Sequence, residues 1–296
     1  MTTTTTDPER STATRRTTGS VKVRALVGAY VRWVILIAVA VAIVVPIGYA
    51  FLGGFRTTGA IRNNPAGFPN PWNFDHYIEA LTGGAYWQQL FNSIVIAVIA
   101  VAVVVVVSAL AAYVFARFAF RGREALFTLF ALGLLFPAAV AILPLYILLR
   151  TIGLLDNPLG VALPQAAFGI PLTIIILRPF FRSIPVELED AALIDGCSRF
   201  GFFWRVLLPL SRPALATVSV LALVGSWNSF LLPLLILGGQ EQWTLPLGVL
   251  NFSTQYSQDV AAVLAYAAVS MVPALLFYVV AERQLIGGLT TGAVKG

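Results

Sequence analysis

Six long stretches of this sequence contain no charged side chain: residues 33–55, 80–116, 125–149, 157–177, 213–240 and 260–281. An α-helix rises about 1.5 Å per residue and needs roughly 20 apolar residues to cross bilayer hydrocarbon. A buried helix of a water-soluble protein is shorter and keeps a polar face. These runs are apolar on every face, as in the segment from Val101 to Val107. The pattern predicts an all-α membrane protein with six transmembrane helices, near 30–52, 89–116, 126–149, 158–177, 213–237 and 260–281. The fourth is the weakest, because Pro164 and Pro171 interrupt it.

Composition narrows the chemistry. Of 296 residues, 58% are hydrophobic and 11% charged, which excludes a disordered chain and disfavours a water-soluble globule. Cys197 is the only cysteine and His76 the only histidine. A disulfide framework and a cysteine or histidine metal site are therefore excluded. His76 falls in an expected outer loop and reads as a solvated residue.

Basic residues set the orientation. With the N-terminus inside, sixteen of the nineteen Lys and Arg residues fall in inner segments. Only Arg56, Arg62 and Arg150 fall outside. This bias predicts a multi-pass membrane protein with both termini cytoplasmic. It also explains the basic charge without a nucleic-acid partner. The N-terminal run is longer than a signal-peptide core, so a retained helix is expected.

The five later spans carry no charge in their interiors. That argues against a proton relay or a charged filter, and hence against a self-sufficient carrier or channel. A serine nucleophile would also lack its base, so the chain reads as a non-enzyme. A phosphate loop requires a lysine in G-x-x-x-x-G-K-[ST], and neither Lys22 nor Lys295 sits in one. The chain reads as a pathway whose energy comes from a partner, or as a passive one.

The segment between the fourth and fifth spans is the most informative. It reads Ser183-Ile-Pro-Val-Glu-Leu-Glu-Asp-Ala-Ala-Leu-Ile-Asp-Gly196, then Cys197 through Pro209. Ser183 is a plausible N-cap, Pro185 suits a first turn, and acids near a helix start favour the dipole. Gly196 suits a left-handed stop, Ser198 a second N-cap, and Pro209 the end of the second helix. The segment predicts a hairpin of two short helices on the cytoplasmic face. Phe202, Phe203 and Trp204 are expected to be buried against a partner or the membrane interface. From physics alone the hairpin is either a docking element or an amphipathic interfacial helix.

The run Glu189-Asp-Ala-Ala-Leu-Ile-Asp-Gly196, followed by Leu207-Leu-Pro-Leu210, resembles the EAA loop of ABC-importer permeases. Asp190 stands where that family has the Glu of the triplet, with Glu189 just before it, and Cys197 stands where an Ala is usual. Ala111-Ala-Tyr-Val-Phe-Ala-Arg-Phe-Ala-Phe-Arg-Gly-Arg123, Ile142-Leu-Pro-Leu-Tyr146, Trp227-Asn228 and the tail Gly288 to Gly296 are similar to the maltose-type carbohydrate branch. The resemblance covers roughly residues 30–296.

It implies a type I ABC-importer permease fold with a cytoplasmic EAA helix hairpin. It implies four kinds of partner besides the lipid bilayer: a cytoplasmic ABC ATPase dimer, a second permease subunit, an extracytoplasmic solute-binding protein and a sugar. ATP and Mg would be bound by the ATPase, leaving no cofactor or metal on this chain. By resemblance, Glu189, Asp190, Ala191, Ala192, Asp195 and Gly196 contact the ATPase, and Lys295 in the tail reaches the ATPase pair. The outer segment and the loop 238–259 would face the binding protein. Trp227 and Asn228 are substrate-path candidates, because sugars are held by aromatic faces and amides. Asn228 bonding a neighbouring helix is the other reading. Tyr146, Gln165, Tyr266 and Ser270 are weaker candidates. A permease for a non-sugar solute remains the alternative within the class. The expected organisation is a disordered tail at 1–28, a first transmembrane helix at 29–52 and an external segment at 53–88. A core at 89–283 contains the EAA loop 183–210, and a cytoplasmic tail follows at 284–296.

Overall fold

A computed structural model describes residues 17–252 and 258–293, with side chains over 26–252 and 258–279. The chain divides into two units, Met1–Leu52 and Gly53–Gly296. Helix α1, Thr17–Gly53, accounts for the described part of the first. It begins inside the segment expected to lack structure. Lys22, Arg24, Ala25 and Leu26 are good helix formers, and lengthening a helix costs far less than nucleating one.

The second unit opens with two short helices, α2 (Thr58–Asn63) and α3 (Asp75–Thr82), before the long α4 (Ala85–Arg117). Helix α5 (Arg123–Leu132) runs through a 3-10 turn to Leu135, and α6 (Ala138–Thr151) follows at 96° to it. Next come α7 (Pro158–Ser183) and α8 (Glu187–Ile194). A second short arm is built from α9 (Arg199–Phe202), a π turn (Phe203–Leu207) and α10 (Leu208–Leu210). Helix α11 (Arg212–Trp227) leaves this arm at 79°. Helices α12 (Leu231–Ile236), α13 (Leu245–Gly248) and α14 (Val260–Ala293) complete the order.

Helices α1, α4, α7 and α14 are each long and apolar enough to cross a membrane. Counting each bent pair as one span brings the total among the described residues to six. The interruptions fall where the sequence did not place them. Helix α7 is continuous through Pro164, Pro171 and Pro179. Around Pro171, the Ser108 hydroxyl donates to the Ile170 carbonyl and the Thr173 hydroxyl to that of Gly169. These bonds hold the backbone on either side of the proline, although neither replaces the bond to Ala167 that Pro171 cannot donate. The third span breaks instead. Pro137 disfavours a helical conformation at Phe136, which is extended at φ −78° and ψ 117°. The fifth span, expected over 213–237, stops at Trp227 and resumes only at Leu231.

Helices α4 and α7 run side by side in the same direction. Ile96 and Ala100 pack with Val161 and Ala162 near their starts, and Ala109 and Tyr113 with Leu177 and Phe181 near their ends. The buried face of α4 is a stripe of Ala97, Ala100, Val104, Ser108 and Ala112. Lipid tails are as apolar as leucine, so helices associate there through close packing, which small residues permit.

Candidate docking hairpin and membrane cavities

Helix α8 and the second arm form the expected hairpin. Gly196 has φ +82°, and beyond Asp195 the amides of Gly196 and Cys197 donate to Leu193 and Ala192. The left-handed residue thus closes the last turn of α8. The Ser198 hydroxyl accepts from the Gly201 amide and caps the second arm. Ser183 does not cap α8. It ends α7, where its hydroxyl donates to Phe180, and α8 starts after Val186 without a side-chain cap. Pro209 does not end the second arm, which runs on to Leu210. The π turn just before the proline takes up the missing donor and the ring, so the bend falls at Ser211.

Phe202 and Phe203 are fully buried, but against this chain's own Tyr113, Leu177 and Phe181. This corrects the expectation of a partner or a membrane surface. Burying them fixes the hairpin to the ends of α4 and α7. Trp204 and Phe200 remain largely exposed.

The outer face of α8 presents Asp190, Ala191, Asp195 and Gly196, with Ala192 half-buried beside them and Ile194 86% exposed. Of the expected contact set, Ala192 packs partly against the core beneath the hairpin, and Glu189 is buried and turned inward. Its carboxylate lies 3.7 Å from Nε of Arg117, with side-chain exposures of 10% and 6%. Arg117 Nη2 also donates to the Ile184 carbonyl at 2.7 Å. The Tyr113 hydroxyl donates to the Arg199 carbonyl at 3.0 Å.

A second charge cluster lies beside it. Arg178, buried on α7, donates from Nη2 to Glu124 and from Nε to the Phe115 carbonyl at 3.3 Å. Its guanidinium stands 3.9 Å over the Phe127 ring. Glu124 is shared with Arg123 and Arg182. Each of the paired helices therefore lends an arginine to the other's end: Arg178 serves a last-turn carbonyl of α4, and Arg117 the carbonyl at which α7 stops. Sequence reading counted both arginines as topological charge, and Arg117 also within the run resembling the carbohydrate branch, but gave neither a structural partner. Their position at helix ends beside a family-like motif was the available signal.

Two of the cavities among the described residues of the second unit bear on a solute path. The first, about 490 Å³, is bordered by Val104 of α4, Ala138 and Ile142 of α6, Gln165 and Phe168 of α7, and Ser226 of α11. The Ser226 hydroxyl donates to Gln165 Oε1 at 2.6 Å, and Gln165 Nε2 is buried without a partner. Trp227 and Asn228 adjoin this cavity in sequence but are not in its lining, which passes from Ser226 to Ser229. Trp227 packs toward Tyr86 and Tyr266. The Asn228 amide donates to Val224 of its own helix rather than to a neighbouring one. The second cavity, about 520 Å³, is bordered by Glu79, Gln88, Gln89, Glu241, Asn251 and Tyr266. Tyr266 donates to the fully buried Gln89. Tyr146 and Ser270, the remaining candidates, border neither cavity. Lys295 lies outside the described residues.

The outer segment, read from sequence as loops, is tied to the start of α14. Thr58 donates to Asp259 at 2.5 Å and accepts from the Ala261 amide at 3.1 Å. Burial pushes the Asp259 carboxyl up. The Thr58 and Ala262 hydrogen bonds and the His76 charge outweigh that and leave it below the usual range.

Long helices packed through small residues, with two sharply bent pairs and a short helix hairpin between the fourth and fifth spans, have the architecture of a multi-pass membrane protein. Residues 109–284 match the family of binding-protein-dependent transport system inner membrane components. The chain belongs to that family. It is 35% identical over 263 residues to the diacetylchitobiose uptake system permease protein NgcG of Streptomyces coelicolor, covering 88% of this chain and 87% of that one. It is 34% identical to the trehalose transport system permease protein SugB of Mycobacterium tuberculosis, over 85% and 92% of the two chains. Its fold is similar to a chain of a bacterial ABC transporter that imports the acidic polysaccharide alginate. That match has a TM-score of 0.75 at 24% identity and covers 93% and 99% of the two chains. The type I importer permease fold that the resemblance implied is thereby established.

Proposed function

We propose that this chain is the transmembrane permease subunit of an ATP-driven, binding-protein-dependent importer of an oligosaccharide. The observation that carries the reading is the hairpin. Gly196 closes α8 in the left-handed conformation, and Asp190, Ala191 and Asp195 form an exposed face beside it, with Ala192 half-buried toward the chain's own core. A face of this kind admits close approach by a groove on a cytoplasmic ATPase, and its acids suit basic residues there. ATP and Mg belong to that ATPase. The basic bias of the inner segments supports a cytoplasmic hairpin and cytoplasmic termini. A second permease subunit completes the path, and an extracytoplasmic binding protein delivers the solute. The sugar class is supported by relatives named for diacetylchitobiose and trehalose. Gln165 with Ser226 is the best-placed polar pair for a solute hydroxyl, ahead of Trp227 and Asn228. In the C-terminal tail, Lys295 provides a further ATPase contact.

The test is a mild-detergent pull-down of this chain from its native membrane, with ATPase activity measured on the eluate and sugars screened against the co-purified binding protein. The reading expects a phosphate-loop subunit and a six-span partner. Purification of the chain alone, with ATP-independent transport in proteoliposomes, overturns it.

A further inference from the structure

We infer that Arg117 and Tyr113, at the end of α4, are the grip through which the hairpin moves the membrane core, with Glu189 as the buried counter-charge on the hairpin. The inference rests on the proposed docking of α8 to an ATPase.

The geometry points to it in three ways. The two α4 side chains stand one helical turn apart and reach both arms of the hairpin. Tyr113 holds the Arg199 carbonyl at the base of the second arm. Arg117 holds the Ile184 carbonyl, where α7 hands over to α8, and faces Glu189 within α8 itself. Next, Glu189 is enclosed while its neighbour Asp190 is free, so the two adjacent acids have different work. Asp190 is available to a partner, whereas Glu189 is spent inside the chain. Finally, Arg117 Nε is buried with no hydrogen-bond acceptor, and Glu189 is the carboxylate facing it. A charge pair shielded from water interacts much more strongly than an exposed one. Removing one member leaves the other buried and unpaired. A rigid-body push on α8 is therefore transmitted to α4, and from α4 along its packed face to α7. These are positioning residues and touch neither solute nor nucleotide.

The test uses the complete importer in proteoliposomes, with its binding protein, and reads solute transported per ATP hydrolysed. Glu189→Gln and Arg117→Met should keep the ATPase at wild-type stoichiometry yet lower that ratio about five- to tenfold, within the ordinary range of coupling energies. Tyr113→Phe removes one hydroxyl without disturbing packing and should lower it less. The Glu189→Gln/Arg117→Met double variant should be no worse than either single one, because the two act as one contact. A merely structural role would lower the yield of folded complex and leave the ratio intact. An unchanged ratio in Glu189→Gln and Tyr113→Phe overturns the grip alone. Loss of the ATPase from Glu189→Gln overturns it too and makes Glu189 a docking residue. A wild-type preparation without any ATPase overturns the functional reading, and the grip with it.

Discussion

Gly196 must hold φ +82° for the turn after α8 to close, and a Cβ there would meet no atom within 4 Å. Conformation is therefore the constraint, not space. A β-branched residue in that region costs about 1–2 kcal/mol, whereas asparagine visits it readily. Gly196→Asn should transport nearly as well as wild type, and Gly196→Val should lose ATPase during purification. Gly196→Trp adds bulk to the accessible face. It should reach the membrane but fail to transport, and normal assembly and transport would count against docking there. Arg178 makes the opposite case, a buried side chain with three neighbours. Arg178→Met leaves the Phe115 carbonyl without its donor, at a cost of about 1–3 kcal/mol. Arg178→Lys should not restore it, because an ammonium cannot reproduce the fixed fork of a guanidinium. Thermal unfolding in detergent would show both variants melting below wild type.

Helices succeed or fail here at their ends and crossings. Gly160, near the start of α7, would place a Cβ 2.0 Å from the Leu154 carbonyl oxygen. No rotamer relieves a clash with backbone, so Gly160→Ala should destabilise by about 1–3 kcal/mol or more. Gly59 in α2 has open space, so Gly59→Ala should be neutral or slightly stabilising in the same melting assay. Hydropathy located every long apolar segment because burial in lipid needs only length and the absence of charge. It could not place the breaks. Prolines at 164, 171 and 179 are absorbed in α7, which packs along α4, while Pro137 divides α5 from α6. The caps at Gly196 and Ser198 were legible because each is a local contact within a few residues. The inward turn of Glu189 and the burial of Phe202 were not. Their partners, Arg117 and Tyr113, lie dozens of residues earlier, and only the fold brings them together.

At the scale of the whole molecule, orientation is the property most open to direct measurement. Cys197, the single thiol, is partly exposed in the hairpin turn next to the proposed docking face. A membrane-impermeant maleimide should label it in inside-out vesicles and leave it untouched in intact cells. Added ATPase should slow the labelling. Ready labelling from outside intact cells would reverse the topology and remove the hairpin from any cytoplasmic partner.

The bend between α5 and α6 has a bearing on hydration. Every helix end leaves backbone donors or acceptors that its own turns cannot serve. At membrane depth, hydrocarbon gives them nothing in exchange, at several kcal/mol for each group. Here the first turn of α6, with Ala138 and Ala139, opens onto the 490 Å³ cavity. Water admitted there can serve the unpaired ends of the two helices, and a polyhydroxylated solute passing the break can take over from that water bond for bond.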